Sequence, residues 1–226
     1  SDDVDRTLWK HSLKLVVPRV VQHDTAMLMI GGGDNNNQAI SPPTDLAIQF
    51  SVTTNSVVAE LGMVPNQPLT FATDSKPRWE DALIAYTWDK FFKTGDSRWP
   101  ARMAMTKSAT AAMTAIQRLL AEEDVTIKDF FVAGASKRGW TTWTTAAVDD
   151  RVRAIAPIVI DLLNIEPSFE HHWRVYGFWS PAIQDYVDMS TTDWWRSAES
   201  HALFDLVAPL SYRDRYTMPK LILNAA

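Results

Sequence analysis

Residues 130–140 read Phe-Phe-Val-Ala-Gly-Ala-Ser-Lys-Arg-Gly-Trp. An apolar run with the composition of a buried strand stops at a serine flanked by small residues. A helical pattern begins at once and holds through residues 141–148. A strand, a very tight turn and a helix place Ser136 at the carboxyl end of the strand. The turn lifts its Oγ out of the sheet, and the first N–H groups of the helix aim at it. Donors placed in this way hold the oxyanion that forms when a serine attacks an ester or amide. The spacing departs from the usual Gly-x-Ser-x-Gly of such turns: Arg138 stands two residues after the serine and Gly139 three. Spacing alone leaves a second reading open, an ordinary strand-to-helix junction with Ser136 as the N-cap.

Around this turn, short apolar runs alternate with helical patterns. Strands are expected over residues 13–21 (interrupted by Pro18), 26–30, 57–61, 130–135, 154–160 and 220–223. Helices are expected over 44–52, 79–92 and 105–120. In the last of these, Met105, Ala109, Ala112, Ile116 and Leu119 form one apolar stripe. Solidly apolar strands separated by helices predict a mostly parallel sheet with helices on both faces. Residues 162–215 break this rhythm. They are aromatic and mostly helical, and follow a strand, where a lid over the carboxyl ends of the strands would sit. The chain therefore reads as one α/β domain over residues 1–226 with an insertion at about 162–215.

Composition narrows the function. A net charge of -5 argues against nucleic acid as the main partner. No run of ~20 apolar residues is present to span a membrane. With no cysteine, thiol catalysis and cysteine metal sites are excluded. No cofactor and no metal site are expected. Ten tryptophans fit either a Trp-rich core or the walls of a substrate cleft. Trp140, Trp173 and Trp179 are the candidates for contact with substrate.

A serine nucleophile needs an oxyanion hole and a base. The Lys137 backbone N–H is the first candidate donor. Gly31, Gly32 and Gly33 end the strand at 26–30, and the N–H groups of Gly32 and Gly33 are the second candidates. The side chains of Lys137 and Arg138 have two readings. In one, Lys137 adds positive charge near the oxyanion or binds a substrate carboxylate, and Arg138 points into the helix packing. In the other, both pair with acids such as Asp149 and Asp150. For the base, Ser136, Asp161 and His172 occur in the chain order serine, acid, histidine. Adjacent histidines on a helix point about 100° apart, so only one of His171 and His172 can face the serine. The alternative is that both are surface or packing residues.

Several long stretches carry a resemblance. Residues 30–33 read IGGG, 57–71 VVAELGMVPNQPLTF and 80–91 EDALIAYTWDKF. Residues 132–143 read VAGASKRGWTTW, 158–182 IVIDLLNIEPSFEHHWRVYGFWSPA and 211–225 SYRDRYTMPKLILNA. With these, the whole chain resembles the PhoPQ-activated pathogenicity-related protein family, a branch of the α/β-hydrolases. The resemblance implies an α/β-hydrolase fold, Ser136 as nucleophile and an exported (secreted or periplasmic) protein. The basic residue after the serine is also similar to that of glucuronoyl esterases, where it helps to form the oxyanion hole. In the family, an acid and then a histidine follow the strand that matches residues 220–224. Both would lie beyond Ala226, and the family's first strand has no match either, so the chain is expected to be truncated at both ends. The expected activity is that of a serine hydrolase on a small-molecule ester, glycan or peptide substrate. The alternative is a non-catalytic binding, signalling or virulence-related protein on the same scaffold.

Overall fold

The computed structural model describes residues 3–36 and 41–224. Strands β1 (Leu13–Val16), β2 (Thr25–Ile30), β3 (Val58–Leu61), β6 (Asp129–Ala135) and β7 (Val152–Ile158) form one five-stranded sheet, in the order β1-β3-β2-β6-β7. A two-stranded ribbon pairs β4 (Leu69–Thr70) with β5 (Pro77–Arg78). The helices are α1 (Asp45–Thr54), α2 (Glu80–Thr94), α3 (Ala101–Ala121), α4 (Lys137–Val148), α5 (Ile165–Tyr176), α6 (Gln184–Asp188) and α7 (Ala198–Val207).

β2, β3, β6 and β7 are parallel, whereas β1 runs antiparallel to β3. β1 also ends at Val16, before Pro18, which cannot donate to a ladder. The expected last strand is reduced to two parallel bridges, Lys220 to Ile155 and Leu223 to Ile158. Along β2, Ala26, Leu28 and Ile30 are buried while Thr25, Met27 and Met29 are half-buried, so the two faces of the sheet are covered unequally.

The register fixes what matters for the site. Ile30 lies opposite Gly134. The loop after β2 therefore leaves the sheet beside the end of β6, on the same edge as Ser136. The core between sheet and helices is filled by Leu28, Phe130, Ile155, Ile84, Met105, Met113 and Ile116, each fully buried. Most of the tryptophans join it. Trp88, Trp140 and Trp143 are buried, and Trp9, Trp99, Trp179, Trp194 and Trp195 pack partly buried against it.

α4 is buried although it carries four threonines. Their hydroxyls are satisfied locally: Thr141 donates to Lys137 C=O (3.1 Å), Thr142 to Arg138 C=O (2.9 Å) and Thr145 to Thr141 C=O (2.7 Å). The Thr144 and Thr106 hydroxyls meet at 2.6 Å across the α3–α4 contact. Back-bonded threonine removes the desolvation penalty of its hydroxyl, so a Thr-rich helix can pack against the sheet. Residues 162–215 are helical, as expected. α6 and α7 lie against α2, and the 3-10 segment Pro209–Arg215 lies against α4.

Candidate active site

Ser136 is the single residue between β6 and α4. Its backbone is at φ 54, ψ -122, a region that residues with a Cβ rarely adopt. An ordinary N-cap is extended, with its side chain bonded to the first turn. Ser136 has neither property: it makes no side-chain cap bond, and among the described residues its hydroxyl has no hydrogen-bond partner. The structure therefore separates the two readings of the motif, and the local geometry is that of a strained elbow rather than a cap. The turn is held by Ser136 N–H donating to Ile158 C=O at 2.8 Å and by Trp140 N–H donating to Ser136 C=O at 3.0 Å. The latter is the first bond of the helix ladder, so the N–H groups of Lys137, Arg138 and Gly139 at the α4 N-terminus have no partner among the described residues.

The displaced glycine also finds its reason. A Cβ on Gly134 would stand 2.6 Å from the Arg138 carbonyl oxygen. A Cβ on Gly139 would stand 2.9 Å from the Gly134 carbonyl oxygen and 3.0 Å from that of Ile158. The tight approach of strand and helix falls at Gly139, one residue later than in the usual pattern, so Arg138 is tolerated where a glycine is customary.

Gly31, Gly32 and Gly33 lie beside the elbow. Gly31 N–H donates to Leu61 C=O (2.7 Å). The Gly32 and Gly31 carbonyls accept from Met63 N–H (2.7 Å) and Val64 N–H (3.0 Å). Among the described residues, the N–H groups of Gly32 and Gly33 have no partner. The loop also lines a cleft of about 410 Å³ with Lys14, Glu60 and Met63; Ser136 is not part of its lining.

The basic pair after the serine meets acids other than those expected. Lys137 Nζ lies 2.7 Å from Asp81 and 3.5 Å from Glu80. Arg138 Nη2 lies 2.5 Å from Glu80. Asp149 pairs with Arg151 instead. The Lys137 ammonium is thus held by the first turn of α2 and is not free for a substrate carboxylate. Asp81 also accepts from the Tyr186 hydroxyl of α6 at 3.0 Å. Burial pushes Glu80 up, but the Arg138 guanidinium, the Gln67 amide and the charge of Lys137 outweigh it and leave its pKa below the usual glutamate value. Arg102 is fully buried beneath the elbow. It donates to Lys137 C=O (2.9 Å) and lies 3.8 Å above the Trp140 ring.

Among the described residues, no side-chain hydrogen bond or ion pair ties the acid and histidine candidates to Ser136. Asp161 is exposed after β7. His172 Nε2 accepts from Ser180 N–H at 3.1 Å, and its ring stacks on Trp179. His171 is exposed. Among the described residues, no hydrogen bond or ion pair joins Ser136, Asp161 and His172. Trp140 is only 2% exposed, and its indole N–H donates to Val207 C=O at 2.6 Å. It therefore offers no face to a substrate and serves packing. Trp173 is 46% exposed and touches Trp179, which also packs on Phe169 and Trp195. Sequence reasoning missed Glu80, Asp81 and Gln67. Two acids opening a helix look like a routine complement to its dipole, and nothing local links them to residues far along the chain.

A mostly parallel sheet, a strained serine at the end of an inner strand and a helix starting on it define the α/β-hydrolase fold. The same fold is found in acetyl xylan esterase 1 from Thermoanaerobacterium sp. JW/SL YS485, with a TM-score of 0.57 at 12% identity, covering 95% of this chain and 72% of that one. It is also found in an acetyl xylan esterase from Paenibacillus sp. R4, with a TM-score of 0.54 at 10% identity, covering 87% and 57%. The chain belongs to the PhoPQ-activated pathogenicity-related protein family, which matches it over residues 1–226. It is 40% identical over 217 residues to autocrine proliferation repressor protein A of Dictyostelium discoideum. The match covers 95% of this chain but 44% of that relative. No helix among the described residues is long and apolar enough to cross a membrane.

Proposed function

We propose that this chain carries the nucleophile and oxyanion hole of a serine hydrolase that cleaves a carboxylic ester or peptide bond. The observation that carries the reading is the backbone of Ser136: a non-glycine residue at φ 54 between β6 and α4, with its hydroxyl uncommitted. Strain of this kind persists where the surrounding structure over-determines it, and such sites are concentrated at reactive centres. In the reaction, Ser136 Oγ attacks the substrate carbonyl carbon and its proton passes to a base. The oxyanion accepts from Lys137 N–H and from the N–H groups of Gly32 and Gly33. The acyl–serine ester then forms as the leaving group takes the proton, and water releases the acid.

The base is assigned to a histidine outside these 226 residues, as the family resemblance implies, because His172 is engaged by Tyr176, Trp179 and Ser180. Residues 162–215 are assigned the role of a cap, with Trp173 and Trp179 as apolar wall. The fold shared with two acetyl xylan esterases favours an ester of a glycan as the first substrate class to test. Export is the compartment the resemblance implies. The test is turnover of a panel of acetyl esters by the full-length protein and by Ser136→Ala; hydrolysis lost with the serine supports the reading.

A second reading is favoured by one observation. The relative with 40% identity is named as an autocrine proliferation repressor, a role that binding alone can fulfil. A non-catalytic regulator would act equally well as Ser136→Ala, whereas an enzyme would lose its turnover.

A further inference from the structure

We infer that Glu80 is a positioning residue that sets residues 31–33 against the elbow. The inference rests on the serine-hydrolase reading for its catalytic consequence, but not for its geometry. One carboxylate oxygen of Glu80 accepts from the Arg138 guanidinium at 2.5 Å and from the Gln67 amide at 2.6 Å. Gln67 Oε1 accepts from the Glu80 backbone N–H at 2.8 Å, and its Nε2 also donates to Gly33 C=O at 3.1 Å. Gln67 is therefore fixed at both ends of its amide, with Glu80 on one side and the glycine loop on the other. Arg138 completes the second arm. Its Nε donates to Val64 C=O at 2.5 Å, and its guanidinium lies so close over Gly32 that a Cβ there would be 2.6 Å from Nη2.

The three loop carbonyls are anchored by these groups or by the segment they hold: Gly33 C=O on Gln67, and Gly32 and Gly31 C=O on Met63 and Val64. The carbonyls are engaged, while the N–H groups of Gly32 and Gly33 have no partner among the described residues. Two residues of the clamp are held at positive φ, Glu80 at 48 and Met63 at 61. Backbone in this region persists only when its contacts impose it. One carboxylate thus links four segments: the elbow helix, the glycine loop, residues 64–67 and the start of α2. The charge matters because a bond between ionised partners is about twice as strong as a neutral one.

The test compares full-length wild type, Glu80→Gln and Gln67→Met, by amide hydrogen exchange and by kcat and KM on the best acetyl ester. Glu80→Gln is expected to speed exchange about tenfold in the peptide holding Met63 and Val64, whose N–H groups donate to the Gly32 and Gly31 carbonyls, while β6 is unchanged. It is also expected to lower kcat about 10- to 100-fold with KM within about twofold. Gln67→Met, which leaves the Arg138–Glu80 pair intact, is expected to give the same exchange signature. Unchanged exchange at Met63 and Val64 in both variants overturns the proposal, as does faster exchange with an unchanged kcat. If wild type hydrolyses no ester, the serine-hydrolase reading fails, and the exchange arm alone decides whether Glu80 holds the loop.

Discussion

The carbonyl oxygen of Arg138 lies against the bare α-carbon of Gly134, so close that a Cβ there would be 2.6 Å away. Strand and helix can meet at this angle only because one of the two residues has no side chain. Gly134→Ala is expected to lower stability by about 1–3 kcal/mol, the usual range for overpacking where backbone must move, measured by urea denaturation. Gly139→Ala should behave alike, because its Cβ would face the Gly134 and Ile158 carbonyls. A neutral effect at both positions would mean that the elbow is looser than described.

Ser136 is expected to be less stable than glycine would be at its position. Its φ of 54 is strained for any residue with a Cβ, and glycine removes that strain. Ser136→Gly should therefore raise the unfolding free energy by about 1 kcal/mol while removing all reaction at the site. Thermal or urea unfolding checks it. A loss of stability would show that the serine side chain has a structural role.

Trp140 and Trp173 should separate cleanly. Trp140 is enclosed by Trp88, Arg102 and the Val207 carbonyl. Trp140→Ala should cost about 3–5 kcal/mol, as large-to-small core changes do. Trp173 is half-exposed, so Trp173→Ala should change stability by under about 1 kcal/mol and raise KM if the cap binds substrate.

His11 gives a pH dependence. Burial lowers its pKa, only partly offset by the Gly62 and Met63 carbonyls. Its Nε2 meets the Ser108 hydroxyl at 2.8 Å and its Nδ1 the Gly62 carbonyl at 3.2 Å. With the folded pKa below the unfolded ~6.5, the unfolded chain binds more protons as pH falls through this range. Stability should therefore decline from about pH 7 towards pH 5. His11→Gln should flatten that decline, as followed by urea midpoints.

The elbow, the alternation of strands and helices, and the helical character of residues 162–215 are all legible in the sequence, because each rests on local periodicity and turn chemistry. Residues 130–135 read as a strand since every one is apolar or small, and α3 follows from its stripe, of which Met105, Ala109, Ala112 and Ile116 are buried and Leu119 is exposed. What the sequence hides is pairing at long range. The partners of Lys137 and Arg138 are Asp81 and Glu80, more than fifty positions away, and not the nearby Asp149. The antiparallel course of β1 is equally invisible, since its residues are apolar in either direction. Trp140 looks like a site residue because it follows the serine closely. One turn of helix carries it round into the core.

An activated Ser136 reacts covalently with a fluorophosphonate, and peptide mass spectrometry maps the modified residue. The full-length protein should carry one adduct, on Ser136, and Ser136→Ala should carry none while keeping its fold. No adduct on the folded protein would contradict that activation. So would an adduct on Ser108, which meets the imidazole of His11 at 2.8 Å.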